Sequence, residues 1–207
     1  ALENEFAAGR GLARAVGGAK GTDALALILR GLGMGPGMTA ATGTVVDLSG
    51  GMFTTSGVLD LQGAQLTGSG TLNGNLNNEG EVSPGNSPGQ IVVEADYTQG
   101  ADGVLTIEIG GLTAGMDYDQ LWVKGSAVLD GVVNVSFYED YLPAQDDIFT
   151  VFKCAAITGS FASVNLPDLA PGLAWQKEYT PEGYVLSVVA EPVIIETVYL
   201  FLPLLLR

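Results

Sequence analysis

From Thr44 onward the chain is a succession of short alternating segments, each closed by Gly, Asn or Asp. "GTVVDLSGG", "GVLDLQG", "AQLTGSGTLNGNLNNEG", "QIVVEADYTQ", "GVLTIEIGG" and "DQLWVKGSAVLDGVVNVSFYE" follow one another. Val, Leu, Ile and Thr recur with period two over four to seven residues, the signature of strands with one buried face. Nothing between Thr44 and Phe137 carries a helical period. The 30 glycines have no Gly-X-Y repeat, so they mark turns rather than a collagen. The expectation is an all-β fold.

Two architectures fit this pattern. One is an antiparallel β-sandwich or barrel. The other is a parallel β-solenoid, in which the chain coils and each rung stacks on the last. The loose Gly-x-Leu/Val recurrence near 57, 70, 80 and 103 keeps no strict period and is spaced nearer to one solenoid face plus a corner than to a full rung, so both architectures stay open on the residues alone. Residues 1–40 read differently. "GTDALALILRGLG" places Thr22 as an N-cap, Asp23 in the first turn, Arg30 in the last turn and Gly31 or Gly33 as the stop of a short helix. The expected organisation is a helical segment and linker over 1–40, a β-solenoid domain with capping strands over 41–190, and an apolar tail over 191–207. Near the end of the domain, "YTPEGYVLSVV" reads as a hairpin turning at Pro181-Glu182-Gly183, with Trp175, Tyr179 and Tyr184 as core or capping aromatics.

The formal charge is -15, and 20 of the 23 acids lie beyond residue 40. No Lys or Arg occurs between Arg30 and Lys124. Nucleic acid is excluded as a partner, because its phosphates need basic residues. An acidic solvated surface is expected, with weak calcium binding as the sharper reading. Histidine is absent, which removes the commonest general base and a frequent metal ligand. Cys154 is the single cysteine, and "FTVFKCAA" suits a small buried apolar residue.

The stretch "EVSPGNSPGQIVV" repeats Ser-Pro-Gly within seven residues. A phosphate-binding loop needs a Lys and a following helix, and neither is here. Pro84 and Pro88 each remove a backbone donor, so the stretch reads as a corner between rungs. Asp117 and Asp119 flank Tyr118 and pose as half of a calcium site or a glycosidase pair; the alternative is that Asp119 caps a turn and Asp117 faces water. Asp146-Asp147 needs no more than a turn. A Ser nucleophile has no His partner. Lys124 and Lys153 are too few to supply the base of a polysaccharide lyase, and Thr54-Thr55 is too short a threonine array for binding a flat surface. The tail "EPVIIETVYLFLPLLLR" is shorter than a membrane-spanning helix and reads as a docking strand or a sorting remnant.

The passage "GSGTLNGNLNNEGEVSPGNSPGQIVVEADYTQGADGVLTIEIGG" through "YDQLWVKGSAVLDGVVNVSF" resembles the C-terminal passenger segment of autotransporter-like secreted bacterial β-solenoid proteins. Its strongest motif is "SPGNSPG", followed by Asp96-Tyr97-Thr98-Gln99 and Tyr118-Asp119-Gln120-Leu121, and the likeness covers residues 68–189. The resemblance implies a right-handed parallel β-helix on the outside of a bacterial cell, acting as scaffold, adhesin stalk or surface layer, without catalysis. The expectation is therefore a non-enzymatic structural or surface module, secreted or at the cell surface, assembling with itself end to end. It has no transmembrane helix and no catalytic or cofactor residues. A carbohydrate-binding adhesin, with Trp122, Tyr118 or Tyr138 exposed along one face toward surface glycans, is the alternative. A lyase or glycosidase is the third.

Overall fold

In the computed structural model, residues 37–192 are described in full, together with the backbone of the strands Glu5–Ala7, Leu12–Gly17, Leu25–Ile28 and Leu32–Met34. The described residues are all-β and form one curled, mixed sheet. The central pairings are parallel, so the antiparallel sandwich is not the arrangement. The parallel pairings recur in the same chain order; each recurrence is termed a course, and each set of strands paired in register a face. One course runs through 70–73, 75–79 and 81–84; the next runs through Gln90–Val93, Tyr97–Gln99 and Val104–Ile109.

Register makes each face a ladder of like residues. On one face Val46 opposes Leu66, then Val82, Leu105, Val133 and Val164 follow in successive courses. On another, Met38 opposes Leu59, Leu76, Tyr97, Ala127 and Ile157 in turn. On the third, Phe53 opposes Leu72, Val93 and Val123. All but the end members Met38, Val164 and Ile157 are buried, so period-two alternation sends one set of side chains into a shared interior. Each such aliphatic contributes about 1.5–3 kcal/mol by leaving water.

Strand length departs from the sequence expectation. Met52–Gly68 and Gly70–Pro84 are continuous strands of 17 and 15 residues that bend through corners instead of ending there. Course length also drifts. The offset between paired residues is 16 for Leu66 and Val82, 23 for Val82 and Leu105, and 31 for Leu121 and Phe152.

The expected N-terminal helix is not what its described residues form. Leu25–Ile28 is a strand parallel to Thr44–Asp47, and Leu32–Met34 pairs with 53–55. Leu12–Gly17 and Glu5–Ala7 add antiparallel strands. Leu and Ala favour helices by only tenths of a kcal/mol per residue, and a ready sheet edge overrides that preference. Thr22, Asp23, Arg30 and Gly31 of the expected helix lie outside the described residues, as does the tail from residue 193.

At the other end the expected hairpin forms. Leu173–Thr180 pairs antiparallel with Gly183–Ala190, turning at Pro181-Glu182, and Gly183–Ala190 pairs antiparallel with Ile148–Lys153. Tyr184 lies 5.4 Å from Phe161 and 4.6 Å from Tyr179 between ring centroids, so aromatic rings close the interior. Cys154 is buried beside them.

Candidate functional site

The "SPGNSPG" stretch forms the corner between Pro84, which ends one strand, and Gln90, which begins the next course. Gly85 has φ 85°, and a Cβ there would strike the backbone of Gly89, so the turn requires glycine. Gly85 and Gly68 exchange backbone hydrogen bonds of 3.0 and 3.3 Å, tying the corner to the course before it. Asp119 ties it to the course after: its carboxylate accepts the N–H of Gly89 at 2.7 Å and that of Glu108 at 2.9 Å. Burial pushes the Asp119 carboxyl up to about 7; those two N–H groups pull it back and the Glu108 carboxylate adds a further push upward.

The carboxylate pair read from the sequence separates. Asp119 is fully buried, whereas Asp117 is half-exposed and accepts the N–H of Thr113 at 3.0 Å within its own loop. Hydrogen bonding from the Thr113 side chain, and after it from the Thr113 N–H, holds the Asp117 carboxyl below its ordinary range. Asp147 accepts the N–H of Ala144 at 2.8 Å and the Tyr141 hydroxyl at 3.1 Å, a turn as expected. Among the described residues no three acidic or cysteine side chains converge as a metal site would require.

A second buried polar group occupies the corner after the second face. Asn78 donates to the Tyr97 hydroxyl at 3.1 Å and to the Val104 carbonyl at 3.0 Å, and accepts from the Gly80 N–H. The Tyr97 hydroxyl donates to Gln99 Oε1 at 2.7 Å, and Gln99 Nε2 lies within 3.0–3.1 Å of the carbonyls of Gly103, Asp130 and Val132. These amides satisfy backbone groups stranded where the chain bends, a structural task.

The outward surface of the first face holds the most chemistry. Trp122 opposes Val92 below and Lys153 above. The Lys124 ammonium lies 3.4 Å from the Trp122 ring centroid, and that of Lys153 lies 4.9 Å from it. Beside them, Gln90 donates to Gln120 at 2.7 Å, and Gln120 donates to the Thr150 carbonyl at 2.7 Å. The loop at Ala114 and the turn at Pro181-Glu182 wall Gln120, Trp122, Thr150 and Lys153 into an open groove of about 620 Å³, with Lys124 at its margin over the Trp122 ring.

Of the aromatics expected on one exposed face, Trp122 and Tyr138 are half-buried and Tyr118 is buried. Tyr118 packs edge-on against Phe149, and its hydroxyl accepts the Thr150 N–H at 3.2 Å. The correction has a simple cause: the loop at 110–117 folds back, so Tyr118 faces the body of the sheet. Sequence reasoning set Lys124 and Lys153 aside as isolated bases. The spacing of Lys124 two positions after Trp122, just past the end of the strand Gln120–Val123, was the available signal; Lys153 joins them only through cross-course register. No protein-family model matches the chain, and no curated protein is significantly similar to it.

Proposed function

We propose that the chain is a right-handed parallel β-helix serving as a non-catalytic structural or surface module of a secreted bacterial protein. The observation that carries the reading is the vertical continuity of the three aliphatic ladders from course to course. A quasi-one-dimensional stack of this kind gains its stability from neighbouring courses and presents long, regular faces, the properties of a scaffold. The carboxylates that the sequence offers for catalysis are engaged in fastening turns, which supports the same reading.

End-to-end assembly belongs to this proposal, with residues 191–207 as the segment that mediates it. The outer strand Leu173–Thr180 exposes Gln176, Lys177 and Glu178 on its free edge, an arrangement that discourages pairing there. The test combines two measurements on the full chain. Light scattering after size separation, with and without 191–207, should give large species only when the tail is present. Incubation with a panel of polysaccharides should leave their chain lengths unchanged; shortening of any of them overturns the non-catalytic reading.

A further inference from the structure

We propose that the Trp122 groove binds a carboxylated saccharide, with Lys124 and Lys153 receiving the carboxylate. Three lysines are the only bases in residues 37–192, and two of them stand over one indole ring. Neither ammonium has a carboxylate within ion-pair distance among the described residues. Two like charges gathered on one ring repel each other, and an anion seated between them relieves that repulsion. In a region otherwise dominated by acids, they also make a local positive point toward which a small anion is drawn.

The rest of the groove specifies a sugar rather than a simple anion. Trp122 is half-buried beneath the two ammonium groups, and the part of the indole left exposed in the groove offers apolar contact for the C–H groups of a sugar. Thr150 and Gln120 line the floor, and Glu182 stands on the wall made by the hairpin turn. A carboxylate is an acceptor only, so Glu182 suits the hydroxyl groups of the unit seated there. Carboxylate at one end and hydroxyls at the other describe a uronic acid unit.

The test is calorimetric titration of the full chain with a defined oligogalacturonate and with its fully methyl-esterified counterpart. Binding of the acidic oligomer is expected to weaken at least about tenfold in the Lys124→Gln, Lys153→Gln double variant, and by a similar factor on esterification. In a Trp175→Phe background the remaining tryptophan, Trp122, should change its fluorescence on binding. Circular dichroism checks that the double variant is folded; single Lys124→Gln and Lys153→Gln variants, each expected to weaken binding, provide the comparison if it is not. Absence of binding, equal binding by the ester, or lysine variants that bind like the parent each overturn the proposal. Any of these leaves the scaffold reading intact, because that reading is judged on assembly and on polymer length.

Discussion

The carboxylate of Asp119 accepts the N–H of Gly89 from 30 positions earlier in the chain, and it does so while fully buried. Gly89 closes the Ser-Pro-Gly corner, and Gln120 beside Asp119 donates its own N–H to the Gly89 carbonyl at 3.0 Å. The two most distinctive motifs of the sequence, "SPGNSPG" and "YDQL", are thus two halves of one fastening. The residue types follow from this: a glycine where a side chain would collide, and an acid where two inward amides need an acceptor.

Replacing Asp119 with Ala should therefore be costly. Two buried N–H groups lose their acceptor, at about 1–3 kcal/mol each before water enters. A loss of about 2–4 kcal/mol in urea unfolding is expected for Asp119→Ala, and a smaller loss for Asp119→Asn, which keeps one acceptor oxygen. A loss under about 0.5 kcal/mol, the usual range for a surface change, would mean the corner holds without its anchor.

Asp119 also sets a pH dependence. Burial raises its carboxyl to about 7 in the folded chain against 3.8 for a solvated aspartate, so the native state holds the proton more tightly than the unfolded state. The stabilisation associated with protonation is complete below pH 3.8, falls as pH rises through the interval, and is gone above about 7. Urea midpoints should be higher at pH 5 than at pH 8, and the Asp119→Asn variant should lose most of that difference. Equal slopes in the two proteins would assign the effect to the general negative charge instead.

Gln99→Leu conserves volume while removing the donor that serves three carbonyls and the acceptor of the Tyr97 hydroxyl. A destabilisation of about 2–4 kcal/mol is expected from unsatisfied polar groups alone. Denaturant titration that finds the variant as stable as the parent would show the corner satisfied by other means.

At the capped end, Tyr184→Ala should cost about 3–5 kcal/mol by opening a cavity among Phe152, Phe161 and Tyr179. The outer strand makes a separate prediction. Exchanging Lys177 and Glu178 for Val leaves the hairpin pairing in place but removes the charges from its free edge, so association should rise in light scattering. A variant that stays at the parent's mass would mean the edge is protected by something other than charge.

The β class was readable because alternation is written residue by residue, as in "VLTIEI", where Leu105, Ile107 and Ile109 are buried between half-exposed neighbours. The hairpin at Pro181-Glu182 was readable because turn chemistry is local. What pairs with what was not. Leu66 and Val82 are 16 apart and Leu121 and Phe152 are 31 apart, so no fixed period survives for the eye to find. The same non-locality hid the groove: Lys153 meets Trp122 only through the register between two courses. "DALALILRGLG" misled because its Leu and Ala favour a helix when read alone, whereas Leu25–Ile28 has a strand to pair with. Tyr118 misled because a loop decides which way it faces, and that loop carries no alternation.

The drift in course length has a consequence for how such a molecule can be altered. Paired residues keep their vertical partners whether 16 or 31 positions separate them, so added chain is absorbed sideways at the bends and leaves the ladders in step. The segment 110–117 is already an outgrowth of this sort, closing on itself through Gly110 and Asp117 before the strand resumes at Gln120. The bends therefore behave like sockets along the rim of a rack: a peptide grafted into one changes what that level presents to the surroundings, while the levels above and below carry on unchanged.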